Sequence, residues 1–170
     1  VIRNSQMLHF VTMSSARGGG RALHVSGARL YTALSGLNGK AYPKTGEGIL
    51  FFPSGAKGPA FIVTENYPVL IEYNNSDAYA ISVGHLADRM QGGSAVKAAW
   101  PADDRPLSRD ARVALQKRLA ALGYKVNEFE GHVDFDLRDN IRAEQKKFGM
   151  LPDGNPTTAL LEKLGVTPSR

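Results

Sequence analysis

Leu107-Ser108-Arg109-Asp110-Ala111-Arg112-Val113-Ala114-Leu115-Gln116-Lys117-Arg118-Leu119-Ala120-Ala121-Leu122-Gly123-Tyr124 decides the fold of the C-terminal part of this chain. Ser108 can accept from the free N–H groups of a first helical turn, and Val113, Leu115, Leu119 and Leu122 recur at helical spacing. Gly123 can take the left-handed conformation that ends a helix. A second helix is expected after the Glu130-Gly131 turn, capped by Asp134 or Asp136, with Leu137, Ile141 and Phe148 as its buried side up to Gly149. A third follows Pro156, from Thr157 to Leu164, with Leu160, Leu161 and Leu164 inward. Three helices between residues 107 and 166 make a minimal core.

Upstream, Trp100-Pro101-Ala102-Asp103-Asp104-Arg105-Pro106 sits in a proline-bracketed linker, residues 97–106, between two folding units. Within residues 36–96, Ile49–Phe52 and Ala60–Thr64 read as short strands joined by the Pro53–Pro59 turn. Val69–Tyr73 reads as a third extended stretch. A helix capped by Asn75 or Ser76 should then bury a stripe of Tyr79, Val83, Leu86 and Met90 and stop at Gly92-Gly93. Residues 1–35 read as a loosely ordered basic arm, with Gly18-Gly19-Gly20 as slack.

The 170 residues are 42% hydrophobic and 22% charged, the composition of one ordinary domain or two small ones. Arg3, Arg17, Arg21 and Arg29, with no acid among residues 1–30, supply +4 of the net +5, so no folded segment reads as a nucleic-acid face. Cysteine is absent, which excludes disulfides, thiolate metal sites and a cysteine nucleophile. No apolar run is long enough for a transmembrane helix, and no signal-peptide pattern opens the sequence. His9, His24, His85 and His132 lack metal-ligand spacing, and no Gly-x-Ser-x-Gly elbow occurs. The acids Glu128, Glu130, Asp134, Asp136 and Asp139 lack the alternation of a calcium loop and read as caps and solvated charges. No metal and no cofactor is expected.

Leu115-Gln116, Leu122-Gly123-Tyr124, Glu130-Gly131, Ile141-Arg142, Gln145 and Leu151-Pro152-Asp153-Gly154 together resemble the three-helix peptidoglycan-binding family. Two departures stand out. Glu130-Gly131-His132-Val133-Asp134-Phe135-Asp136 replaces the family's Asp-Gly and Gly-Pro-x-Thr turn, and Glu144 stands where an aromatic usually precedes the glutamine. The middle segment, with Gly58-Pro59-Ala60-Phe61-Ile62-Val63-Thr64, Tyr73-Asn74-Asn75-Ser76, Tyr79-Ala80 and Val83-Gly84-His85-Leu86-Ala87-Asp88-Arg89, is similar to the C-terminal end of the murein lytic transglycosylase B catalytic domain.

The resemblance implies an α+β fold: a strand-containing remnant of a transglycosylase domain followed by a three-helix peptidoglycan-binding domain. It implies a peptidoglycan partner, glycan strand or stem peptide, and a place in the periplasm or cell envelope. The family cleaves between N-acetylmuramic acid and N-acetylglucosamine with one glutamic acid in a Glu-[Ser/Thr]-Asn-Phe-Gly motif, which this sequence does not contain. Thr64-Glu65-Asn66-Tyr67 is a chance likeness, so no catalytic residue is assigned and the chain is expected to bind without cutting on its own. The alternatives are an active transglycosylase whose acid comes from an upstream part or a partner chain, and a protein-binding adaptor in the envelope.

Carried over by resemblance, Tyr73, Asn74 and Tyr79 line the glycan cleft, although Tyr79 also fits as plain core. Tyr124, His132, Phe135, Arg138 and Gln145 are the candidate contacts of the terminal domain. Arg138 would bond a stem-peptide carboxylate or else pair with Asp134 on an exposed turn, and Phe135 reads equally as core. Residues 1–30 do not resemble the family where its sequence should continue, as a reading-frame change in the gene would produce. The remnant would then expose apolar faces and self-associate.

Overall fold

The computed structural model describes residues 8–11, 49–63, 66–93, 95–96, 98–102 and 105–167. Arg3, Arg17, Arg21, Arg29, the Gly18–Gly20 run, His24, Thr64-Glu65 and Asp103-Asp104 lie outside the described residues. The chain divides into two compact units, with the boundary between Trp100 and Pro101, inside the stretch read as a linker.

The first unit holds a three-stranded antiparallel sheet in the order β1 (Leu8–Val11), β3 (Ala60–Val63), β2 (Ile49–Phe51). Residues 8–11 are thus a strand and not part of a loosely ordered arm. Their Leu8-His9-Phe10-Val11 sequence is rich in strand formers, and the partner strand lies far along the chain, where local periodicity does not reach. The hairpin between β2 and β3 turns at Gly55, whose N–H donates to Phe52 O at 3.3 Å. Phe51 and Phe61 face each other across it and both are fully buried. Phe51 packs its ring 5.7 Å from Tyr67, whose hydroxyl donates to Asp77 Oδ1 at 2.6 Å. Phe61 also carries Trp100, with ring centroids 6.3 Å apart, while Trp100 stays half-exposed.

Val69–Tyr73 is helical, not extended: α1 runs from Asn66 to Tyr73. Pro68 falls in its first turn, where a missing N–H breaks no helical bond, and Asn74 N–H donates to Leu70 O at 3.0 Å to continue the ladder. The β-branched run suggested a strand, but Val69 and Tyr73 are four residues apart and both exposed, the periodicity of a helix face.

Helix α2 (Asp77–Met90) is capped by Ser76, whose Oγ accepts from Tyr79 N–H at 3.3 Å. It closes through Gly93 N–H to Asp88 O at 2.8 Å and Gly92 N–H to Arg89 O at 3.0 Å. Its buried face is Ala80, Ile81, Gly84 and Asp88, not the expected stripe. Leu86 and Met90 point to solvent, and Tyr79 and Val83 are half-buried. The small residues Ala80 and Gly84 allow close approach on the opposite side, which hydrophobicity alone did not reveal.

The second unit contains α3 (Arg109–Ala121), α4 (Phe135–Lys147) and α5 (Thr158–Lys163). Ser108, Asp134 and Thr157 cap them, each accepting from the third N–H that follows. Leu107, Ala111, Leu115, Leu119, Leu137, Ile141, Leu160, Leu161 and Leu164 make one core. Each fully buried leucine there contributes about 1.5–3 kcal/mol from removal of apolar surface from water. Val113 is only half-buried, and Leu122 and Phe148 are exposed, because each of the last two is the C-cap where its helix has left the core.

The three helices end alike. Two residues past each cap, the N–H turns back into the last turn: Tyr124 to Leu119 O, Met150 to Gln145 O and Val166 to Leu161 O, at 3.1, 2.8 and 2.9 Å. Tyr124, Met150 and Val166 then pack on the core, the apolar contact that accompanies this closure.

A duplication underlies the unit. Arg109-Asp110, Ala114 and Gln116-Lys117 recur at the same spacing as Arg138-Asp139, Ala143 and Gln145-Lys146. Each buried glutamine grips a glycine turn three residues ahead of the next helix cap. Gln116 accepts from Gly131 N–H and donates to His132 O, both at 2.8 Å. Gln145 accepts from Gly154 N–H at 2.9 Å and donates to Asn155 O at 3.2 Å. Both turns need glycine: φ is +82° at Gly131 and +76° at Gly154, and a Cβ at Gly131 would sit 2.9 Å from Arg109 O.

Candidate functional site

Two places bring candidate residues together. At the elbow between α1 and α2, Tyr73 and Tyr79 stack at 6.0 Å with 27° between their ring planes. Tyr73 is 81% exposed, so the pair offers an aromatic face to solvent. Asn74 holds the elbow with its backbone, donating to Leu70 O and accepting from Ser76 N–H, while its side chain stays exposed. Tyr79 is therefore neither plain core nor free surface, but the half-buried support of Tyr73.

In the second unit the sequence candidates divide. Gln145 is 2% exposed, and its amide is occupied by Gly154, Asn155 and Asp153 Oδ1. Arg138 is 5% exposed and donates to Gly154 O at 3.4 Å, so it is neither an open carboxylate receptor nor a partner for Asp134 on an exposed turn. The sequence did not show this because the turn that receives both side chains lies well downstream of them. Tyr124 donates to Glu144 Oε1 at 2.6 Å, and its hydroxyl accepts from Lys147 Nζ at 2.9 Å. Lys147 also reaches Glu144 Oε1 at 2.6 Å and lies 5.2 Å from the Tyr124 ring centre.

That triad accounts for Glu144 in place of an aromatic. Burial pushes its carboxyl up, but hydrogen bonds from Lys147 and Tyr124 and the charges of Lys147 and Arg118 outweigh burial and hold it below the ordinary range. The hydrogen bonds to Glu144 and Tyr124 raise the Lys147 ammonium above its own.

His132 and Phe135 remain half-buried near the surface on either side of the Asp134 cap. Beside them is a feature that sequence reading missed: a shallow surface depression without enclosed volume, lined by Gln116, Lys125, Asn127, Glu128, Asp134 and Asp136. Asn127 Nδ2 bridges Asp134 Oδ2 and Asp136 Oδ2 at 3.1 and 3.2 Å. The crowding of acids in this stretch was the available signal, and capping explains Asp134 alone. No group of three or more His, Cys, Asp or Glu suited to a metal ion occurs among the described residues.

Comparison with known proteins supplies the context. Residues 22–88 match the transglycosylase SLT domain family, and residues 108–164 match the peptidoglycan binding domain family. SltB3 from Pseudomonas aeruginosa, solved in complex with NAG-anhNAM-pentapeptide, is 36% identical over 98% of this chain and 46% of that chain, with a TM-score of 0.75. The same protein in complex with NAG-NAM-pentapeptide aligns at 36% identity over 96% and 46%, with a TM-score of 0.76. A search of curated proteins by sequence finds no match. This chain spans just under half the length of the solved relative. A family match that begins at residue 22 and a likeness that covers 98% of the chain overturn the reading of residues 1–30 as foreign to the family. The chain thus carries, in order, a segment that matches the transglycosylase SLT domain family and a segment that matches the peptidoglycan binding domain family, and over nearly its whole length it is similar to SltB3.

Proposed function

We propose that this chain is the wall-gripping end of a murein lytic transglycosylase in the cell envelope. The second unit holds peptidoglycan, and the Tyr73–Tyr79 stack with Asn74 forms part of the cleft for the glycan strand. The observation that carries the reading is the order of the two matched domains, together with 36% identity to a protein solved with muropeptides. An exposed aromatic pair suits a sugar ring, whose C–H face is apolar while its hydroxyls stay in water. No helix among the described residues is long and apolar enough to cross a membrane. Residues 36–96, 97–106 and 107–166 act as transglycosylase segment, linker and anchor.

Binding without cutting is the activity proposed for this chain by itself, and strand cleavage requires a polypeptide that carries the catalytic glutamic acid. A sacculus pull-down followed by mass analysis tests both statements. Retention on sacculi with no 1,6-anhydromuropeptide released is expected. Release of anhydro products would show that this chain holds an acid of its own, and failure to bind sacculi would favour a protein-binding adaptor.

Self-association follows from the apolar side chains on α1 and α2. Phe51 and Phe61 are completely buried, but Val69, Tyr73, Leu86 and Met90 are 51–81% exposed. Sedimentation of the whole chain should show mass rising with concentration, and Met90→Lys should reduce the rise. A single mass at all concentrations would remove this part of the proposal.

A further inference from the structure

We propose that the second unit has an end that docks on an anionic phospholipid surface: the face where α3, α4 and α5 terminate, with Leu122, Phe148 and Leu151 exposed among Arg118, Lys146, Lys147 and Lys163. The inference goes beyond the proposed peptidoglycan function and does not depend on it.

The three helices run the same way. Arg109, in the first turn of α3, donates to Glu130 O just ahead of α4, and Arg138, in the first turn of α4, donates to Gly154 O just ahead of α5. At the other end Arg118 Nε, in the last turn of α3, donates at 2.9 Å to Leu164 O, the C-cap of α5. Lys163, the last residue of α5, places its ammonium 5.8 Å from the ring centre of Phe148, the C-cap of α4. Tyr124, just past α3, reaches Glu144 in the last turn of α4. The three C-termini therefore share one face, opposite the end that holds the caps Ser108, Asp134 and Thr157.

That face combines apolar and cationic side chains. Leu122 is 42%, Phe148 36% and Leu151 65% exposed. The last turns hold Arg118, Lys146, Lys147 and Lys163, all exposed, with Glu162 exposed and Glu144 buried. Lys147 pairs with Glu144 at 2.6 Å, which leaves three cations against one exposed acid. Basic residues at helix C-termini commonly serve the helix dipole. Here, however, the N–H groups of Tyr124, Met150 and Val166 already close the ends, and Lys146 takes no hydrogen bond among the described residues. Lys163 over the Phe148 ring makes an apolar body with a charged tip, a shape suited to the boundary between headgroups and acyl chains. Acidic headgroups complement the charge, and the acyl region accepts the apolar side chains. An anionic polymer would use the charge and leave Leu122, Phe148 and Leu151 in water.

The test is co-sedimentation of the whole chain with vesicles that contain phosphatidylglycerol and with vesicles of phosphatidylcholine alone, with circular dichroism as the folding check. The unaltered chain should bind the anionic vesicles, and less so as salt is raised. One lysine near an anionic surface contributes about fivefold in binding, so Lys146→Gln with Lys163→Gln should weaken it by about 25-fold. Phe148→Ser should weaken it as well, with the lysines in place. Equal binding to phosphatidylcholine alone, or no binding to either vesicle, would overturn the inference. So would a loss that follows Arg17→Gln with Arg21→Gln, in the basic N-terminal stretch, and not the lysine pair. Unchanged binding by Phe148→Ser would show that charge alone is read, as an anionic polymer would be, and would overturn it too. Sacculus retention of the lysine variant, read beside the vesicles, keeps the two functions apart: its loss would count against a separate membrane-facing end.

Discussion

The two glycine turns of the second unit are held by the same amide but do different things. Around Gly131 the flanking side chains look outward: Phe129 and Glu130 are exposed, and arginines secure the backbone from the helix side. Around Gly154 they are drawn in: Asp153 Oδ1 accepts from Gln145 Nε2 and from Asn155 N–H, both at 2.9 Å, and Asn155 is 9% exposed. A repeated motif has thus been divided between presenting a surface and closing a core. Position inside the repeat fixes the backbone, and the residues beside the glycine decide which way the turn faces.

Removing each clamp sharpens that comparison most. Gln145→Ala strands Gly154 N–H, Asn155 O and one bond of the Asp153 carboxylate, and should cost about 3–4 kcal/mol, since buried groups lose their partners. Gln116→Ala strands two groups in a turn that Arg109 and Arg112 still hold, and should cost about 2 kcal/mol. Urea unfolding followed by helical circular dichroism measures both, and equal losses would mean that the two turns are energetically alike.

A smaller effect separates the halves by pH. Glu144 belongs to the second helix of the duplication, and Leu115 occupies the matching place in the first. Its folded carboxyl lies below the unfolded value, so it contributes stability that is present above an unfolded pKa of about 4.3 and is lost as pH falls through the lowered folded value. Glu144→Gln should flatten the decline in urea midpoint between about pH 5 and about pH 3. An unchanged decline would assign the acid sensitivity to other carboxylates.

Much of this was legible in the sequence where the cause is local. Ser76, Ser108, Asp134 and the Thr157–Leu164 helix were found because capping depends on residues a few positions apart. The α+β class and the two matched families were likewise readable. What failed depended on distant partners. The buried face of α2 was misjudged because Ala80 and Gly84 are apolar only weakly, and β1 was missed because β3 lies far downstream. Arg138 and Gln145 looked like ligand contacts because polar residues on a helix face suggest recognition until the turn that receives them is seen.

Trp100 is the single tryptophan of the chain and rests against Phe61 at the far edge of the first unit. Its emission is therefore an optical label for one unit, while most of the ellipticity of the second comes from helices that contain no tryptophan. On one unlabelled sample, fluorescence reads the melting of the first unit, and the part of the far-ultraviolet circular dichroism change that does not follow it reads the second.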